Sequence, residues 1–266
     1  MKYVLKEEFK RAFLNKKFIL LVILGLLIHI YSLFVWEHGV IFFDYSAEDI
    51  VLDAAIEGIT KSINRYTFWY HGMDIYIIIM PLLACIPYSA SLYGDKESNF
   101  YTYIVTRTKK KDYFISKIFI NGLIGGVILA LPTLLFYLLL TFIVPGPIID
   151  FGVHPIGFLS ELFMSNPNLY ILFTILIEFL FGFTYSTFAL AISKFNVNKV
   201  FILLTPFIYW YVGTFIFERL KFFAISPASF NAFMVRGFSN IYMILGQAVA
   251  IMTISILIIL YKNGDA

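Results

Sequence analysis

Long apolar blocks separated by short charged stretches dominate the chain. The blocks are too long for barrel strands, and their polar and apolar residues do not alternate. A helix that crosses the hydrocarbon core of a bilayer needs roughly 17 to 25 mostly apolar residues. Six blocks meet this requirement and predict six transmembrane helices, over residues 18–36, 75–92, 118–144, 169–193, 200–217 and 241–261.

The composition excludes an ordinary soluble domain. Of the 266 residues 60% are hydrophobic and 14% are charged, whereas soluble proteins carry about 25% charged residues. We therefore predict an all-α integral membrane protein with one membrane domain over residues 1–266. The chain has a single cysteine, Cys85, which excludes an intrachain disulfide framework.

The distribution of basic residues predicts the orientation of the helices. Fifteen of the 20 Lys and Arg residues fall on the side of the predicted layout that also holds both termini. Cytoplasmic connections carry the excess of Lys and Arg in membrane proteins. We therefore expect both termini in the cytoplasm and a large outer loop over residues 37–74.

The segment before the first span, residues 1–17, has the pattern of an amphipathic helix. Leu5, Phe9 and Phe13 recur every four residues, with Val4 and Ala12 beside them. The pattern predicts a helix that lies in the inner headgroup layer with this apolar side down. A solvated basic flank without a helix is the alternative.

The connection between the second and third predicted spans is charged at both ends and aromatic in the middle. A simple linker would not need Phe100, Tyr101 and Tyr103 in succession. This pattern favours a short helix that offers an apolar face to a partner. An extension of the flanking helices is the alternative, and the basic run after it also suits an anchor to anionic lipid.

Glu178 lies close to the middle of the fourth predicted span. A carboxylate at that depth costs about 3 kcal/mol and needs a partner. Tyr185 lies seven residues further along and shares the same helix face. Two roles stay open for Glu178, with Tyr185 beside it: a structural hydrogen bond between helices, or a place in a translocation path.

Familiar catalytic motifs are missing from the sequence. It contains no phosphate loop of the Walker type, no HExxH zinc helix and no G-x-S-x-G nucleophile elbow. His71 and Asp74 fall at helical spacing, but two ligands in an outer loop are weak evidence for a metal. We expect no catalytic residues and no metal site in this chain.

In layout the chain resembles the membrane subunits of ABC transporters, in particular the type-2 exporter permeases. The resemblance covers the amphipathic segment LKEEFKRAFLNKKF, the six spans, the large first outer loop and a short outer re-entrant stretch before the last span. Its most specific part is PYSASLYGDKESNFYTYIVTRTKKKDYFISK, residues 87–117. There the resemblance implies acidic positions at Asp95 and Glu97, a coupling helix over residues 99–106, and basic positions at Arg107 and Lys117. Many relatives have Gly where this chain has Asn99.

The resemblance also implies the partners. Two separate cytoplasmic ATPase subunits would bind ATP and Mg²⁺. They would push on the coupling helix and on the amphipathic segment of residues 1–17, which is called the elbow helix. The coupling contacts would involve Asp95, Glu97, Asn99, Phe100, Tyr101, Tyr103, Arg107 and Lys117. A second permease chain, identical or paralogous, would complete the path, so that this chain itself binds no cofactor.

The expected function is therefore ATP-driven export across a bacterial plasma membrane. The aromatic spans and the acidic outer loop favour an amphipathic or antimicrobial peptide, or a lipid-like compound, as the substrate. The alternative is an ATP-independent secondary carrier or channel. A carrier would show inverted repeats or several charges within the membrane, and the sequence offers only Glu178 clearly. No nucleic-acid partner is expected.

Overall fold

A computed structural model describes residues 2–41, 63–144, 154–195 and 197–261, and within these ranges every long element is a helix. In chain order the helices are α1 (Lys2–Phe13), α2 (Lys16–Ile41), α3 (Arg65–Leu83), α4 (Ser91–Glu97), α5 (Phe100–Val105), α6 (Lys110–Ile143), α7 (Ser160–Ser165), α8 (Pro167–Ile192), α9 (Lys199–Arg219), α10 (Ala228–Asn231) and α11 (Ile241–Tyr261).

Five helices of the described residues are long and apolar enough to cross a membrane: α2, α6, α8, α9 and α11. They correspond to the first, third, fourth, fifth and sixth predicted spans. The chain is therefore a multi-pass helical membrane protein. Most of the predicted outer loop, residues 37–74, lies outside the described residues, and so does the C-terminal tail after Tyr261.

The second predicted span, residues 75–92, differs from the helix in the structure. Helix α3 begins earlier, at Arg65, because the Asn64 side chain accepts hydrogen bonds from the amides of Tyr66 and Thr67. It ends at Leu83, and turns follow up to the start of α4. Pro87 lies in these turns, where it removes a backbone donor and disfavours helical geometry in the residue before it. Helix α3 is not among the five helices that are long and apolar enough to cross a membrane.

Helices α6 and α8 form the most extensive helix contact in the structure. Their backbones approach closely at Gly125 and Gly182, where a Cβ on Gly182 would lie 2.3 Å from the carbonyl oxygen of Gly125. A Cβ on Gly126 would likewise meet the carbonyl of Phe179 at 2.7 Å. These glycines of α6 and α8 therefore allow the two helix backbones to pack closely.

The segment between α9 and α11 folds into short helical pieces and packs against the bundle. Phe230 and Phe233 are fully buried. Asn231 accepts a hydrogen bond from Trp210 Nε1 at 2.9 Å and donates to the carbonyl of Ile77 at 2.8 Å. These contacts hold the segment between α3 and α9.

Candidate functional site

Four charged side chains from three helices form a charge cluster: Glu8 and Arg11 of α1, Asp95 of α4 and Lys117 of α6. Lys117 Nζ lies 2.9 Å from Glu8 Oε2 and 2.7 Å from Asp95 Oδ2. Arg11 bridges the same two acids, at 3.1 Å from Glu8 Oε1 and 2.6 Å from Asp95 Oδ1. Glu8, Asp95 and Lys117 are at most 1% exposed, whereas Arg11 is 40% exposed and lies at the edge of the cluster.

Two tyrosines complete the hydrogen bonds of this cluster. Tyr88 donates its hydroxyl to Glu8 Oε2, and Tyr113 donates to Asp95 Oδ2 at 2.6 Å. All four carboxylate oxygens therefore have partners, and the two acids balance the two bases. A buried charge that lost its partner would cost several kcal/mol, so the complete pairing fixes the three helices relative to one another.

The surroundings of Asp95 change its acidity. Burial by itself would raise the pKa of this carboxyl, but the ammonium of Lys117 and the guanidinium of Arg11 favour the charged form more strongly. The pKa of Asp95 therefore lies below its ordinary value. The carboxylate in turn raises the pKa of Arg11 despite the burial of that guanidinium. Both groups stay charged near neutral pH.

Helix α1 buries one stripe of residues in the protein. The buried stripe is Val4, Glu8 and Ala12, each at most 2% exposed. Phe9 is 43% exposed and stacks on Phe13 with ring centroids 4.5 Å apart. That Leu5, Phe9 and Phe13 lie in the headgroup layer stays a prediction. Burying Glu8 becomes favourable because its carboxylate meets Lys117 and Arg11.

The predicted coupling segment, residues 99–106, contains helix α5 over Phe100–Val105. Asn99 precedes it with φ of 59°, in the left-handed region. Gly enters this region freely and Asn enters it more easily than other residues. The chain thus turns between α4 and α5 at Asn99, and the backbone explains why Gly or Asn suits this position.

The aromatic residues of α5 point in two directions. Tyr103 is 54% and Phe100 is 36% exposed, and each has a guanidinium over its ring, from Arg107 at 4.0 Å and from Arg11 at 4.7 Å. Tyr101 instead packs against Tyr113 and Phe114 of α6. We call the exposed pair, Phe100 and Tyr103, the docking face.

A groove of about 500 Å³ lies between this docking face and α1. Tyr3, Val4, Ile104 and Arg107 are among its other lining residues. Glu97, which the resemblance placed among the coupling residues, is exposed and lines a separate cavity with Phe195 and Asn198. The structure thus joins Asp95 to Lys117 but leaves Glu97 outside the charge cluster.

Glu178 is buried within the bundle and has a hydroxyl partner. Thr133 of α6 donates to Glu178 Oε2 at 2.6 Å, and Thr133 Oγ1 also lies 3.2 Å from His29 Nε2. His29 Nδ1 lies 3.0 Å from the carbonyl of Gly72. The four residues form a polar chain that links α8, α6, α2 and α3, which is the geometry expected of a structural hydrogen bond.

Tyr185 does not contact this polar chain. Its ring stacks on Phe181 at 4.0 Å and packs edge-on against Phe230. Its hydroxyl is buried, and the structure gives it no hydrogen-bond partner among the described residues. Tyr185 thus belongs to an aromatic core between α8 and the segment before α11.

Sequence reasoning missed Glu8, Tyr88 and Tyr113 as members of a site. Glu8 carries a signal in retrospect, because it lies four residues from both Val4 and Ala12 and so shares a helix face with two small apolar residues. The two tyrosines carry no such signal, since they are two of 18 in the chain.

No protein family, curated protein or solved structure gives a significant match to the chain.

Proposed function

We propose that the chain is the membrane subunit of an ATP-driven exporter and that a separate cytoplasmic ATPase docks on helix α5. The observation that carries the proposal is the buried charge cluster, which joins α1, α4 and α6 directly beside an exposed aromatic pair. A helix that only linked two spans would need neither feature.

The charge cluster offers a way for force to reach the bundle. Asp95 lies only a few residues before α5, and Lys117 lies two turns into α6. Because separating these ions would leave unpaired charges inside the protein, α1, α4 and the start of α6 should move together when α5 is pushed. Helix α6 carries the movement onward through its contact with α8.

The docking face has the chemistry of an anchor for a protein partner. Aromatic and arginine residues dominate the energy of protein contacts, at 2 kcal/mol or more for the strongest positions. Phe100 and Tyr103 present two rings, each backed by a guanidinium, beside the groove of about 500 Å³. A partner side chain that enters this groove would meet apolar walls, the guanidinium groups of Arg11 and Arg107, and the carboxylate of Glu7.

The complete transporter in this proposal has two permease chains and two ATPase subunits that bind ATP and Mg²⁺. Helix α3 serves as the sixth span, with both termini in the cytoplasm. The substrate is an amphipathic or antimicrobial peptide or a lipid-like compound, which moves between the two permeases. This assignment rests on the layout of the sequence and on the charge cluster.

The test is co-purification of the ATPase with the tagged chain from membranes of the native host. Replacing Phe100 and Tyr103 together by Ala should release a phosphate-loop ATPase, because losing about 2 kcal/mol weakens binding roughly thirtyfold. Thr102→Ala, on the same helix, is the matched control and should retain it. The proposal fails if no ATPase accompanies the wild-type chain or if the double variant retains it fully.

A secondary carrier is the second candidate, and the polar chain of Glu178, Thr133 and His29 favours it. Titratable groups inside a membrane often serve proton-coupled transport. The chain alone, reconstituted in vesicles without ATPase, would then move substrate in response to a pH gradient. Glu178→Gln would abolish that movement.

A further inference from the structure

A basic cavity of about 450 Å³ lies beside Arg11, at the ends of two membrane helices. Its polar lining residues are Arg11, Asn15, Lys16, Lys17, Tyr88, Ser91 and Lys199. All four charged members are cations, and no acid belongs to the lining. Arg11 is already paired with Glu8 and Asp95, whereas the structure gives the three lysines no carboxylate within salt-bridge distance among the described residues.

The three lysines all lie at the N-terminal ends of helices. Lys16 and Lys17 open α2, Lys199 opens α9, and neither first turn contains an acidic residue. The N-terminal end of a helix carries a partial positive charge, so cations there are disfavoured and anions are favoured. A bound anion would relieve this repulsion and would gain from both helix ends.

The other polar groups of the lining are not available to a ligand. Ser91 lines the cavity, but its Oγ is closed off from solvent. The Asn15 side chain caps α2 by accepting from the amides of Lys17 and Phe18. The cavity therefore offers cations without a competing carboxylate, which is the chemistry that a phosphate group requires.

An apolar strip continues from the cavity along α2. Ile19, Leu20 and Ile23 follow Lys16 at three, four and seven residues, so they lie on its helix face. Their exposed fractions are 60%, 64% and 48%. A ligand that fits both parts has an anionic head and hydrocarbon chains, and a soluble phosphate would leave the strip unused.

We propose that the basic cavity binds the phosphate of an anionic glycerophospholipid, whose acyl chains lie along Ile19, Leu20 and Ile23. The bound lipid would bridge α2, the turns after α3, and α9. This site needs only that α2 and α9 cross the membrane, and it stands whether or not an ATPase binds the chain.

The test measures thermal unfolding of the purified chain in detergent while phosphatidylglycerol is added. The midpoint should rise with phosphatidylglycerol and stay unchanged with phosphatidylcholine. Replacing Lys16, Lys17 and Lys199 together by Ala should raise the phosphatidylglycerol concentration for half the effect by roughly a hundredfold, since each basic residue near a membrane contributes about a factor of five. The triple Arg variant keeps the charges and should behave like the wild type.

The matched control replaces Lys109, Lys110 and Lys111 by Ala, which removes the same charge outside the cavity and should leave the response unchanged. An equal loss in this control would overturn the proposal in favour of general charge attraction. Glycerol 1-phosphate carries the head group without chains. If it stabilises the protein as strongly as phosphatidylglycerol does, the ligand is a soluble phosphate and the lipid assignment is wrong.

Discussion

Lys117 of α6 and Glu8 of α1 form a buried ion pair, with 2.9 Å between Nζ and Oε2. Both side chains are almost fully excluded from solvent. Helix α1 is therefore not free to move along the membrane surface independently of the bundle. It is fixed to the start of α6, directly beside the surface on which we propose that an ATPase docks.

Removing the central cation of the charge cluster should destabilise the protein strongly. In Lys117→Met the carboxylates of Glu8 and Asp95 lose the buried one of their two shared cations, and breaking a buried pair in this way costs about 3–5 kcal/mol. Chemical unfolding in detergent measures the change. Lys110→Met, at the exposed start of the same helix, should stay within about 0.5 kcal/mol of the wild type, and equal effects of the two substitutions would contradict the role of the cluster.

The charge cluster should also make stability depend on acid pH. The pKa of Asp95 is lower in the folded chain than its ordinary value of 3.8. Its contribution to stability is therefore complete above that value and is lost as the pH falls through the lower folded pKa. The unfolding midpoint, measured from neutral to acid pH, should decrease once the pH falls below about 4. Asp95→Asn should flatten this part of the curve, and an unchanged acid dependence would show that other groups dominate it.

Glu178 should tolerate replacement by Gln. Gln keeps the size of the side chain and an oxygen that accepts from Thr133, so both folding and transport should remain close to the wild type. Glu178→Leu should cost about 1–3 kcal/mol, because it removes the carboxyl oxygen that accepts from the buried hydroxyl of Thr133. Normal folding of Glu178→Gln with abolished transport would instead place the carboxyl in the translocation path.

The contact between α6 and α8 should not tolerate a methyl group at Gly182. A Cβ there would approach the carbonyl oxygen of Gly125 to 2.3 Å, so Gly182→Ala should destabilise the chain by about 1–3 kcal/mol through overpacking. Gly246→Ala in α11 is the control, because nothing lies within 4 Å of its Cβ. It should be neutral or stabilising by up to about 1 kcal/mol. A similar loss at both positions would indicate a general effect on the helices.

The predicted orientation places Lys110 and Glu161 on opposite sides of the membrane. Single cysteines at these exposed positions should react with a membrane-impermeant maleimide from the cytoplasmic side at 110 and from the outside at 161. The native Cys85 is buried and gives a low background. Reaction of both positions from the same side would contradict the prediction that α6 crosses the membrane.

The sequence by itself determined the class of the protein and most of its long helices. Long apolar blocks have no stable alternative in a bilayer, because every backbone polar group must be satisfied within the segment. That argument is local, and it succeeds for α2, α6, α8, α9 and α11. It failed in detail at α3, where the cap by Asn64 and the break near Pro87 moved both ends of the helix.

The coupling region shows a similar division. Aromatic residues between the second and third predicted spans favoured a short helix, the resemblance implied residues 99–106 for it, and α5 occupies Phe100–Val105. The sequence could not tell that Tyr101 faces α6 while Tyr103 faces outward, since both lie within the same run of aromatic residues. The packing of Tyr113 and Phe114 decides which ring is buried.

Only the tertiary structure brought Glu8, Arg11, Asp95 and Lys117 together. Each of these residues taken alone resembles an ordinary charge at a membrane surface, and the amphipathic pattern of α1 gave no reason to place Glu8 in the interior. Burial of a charge becomes favourable only when partners from other helices neutralise it and complete its hydrogen bonds. Because those partners are distant in the sequence, periodicity along one helix could not reveal them.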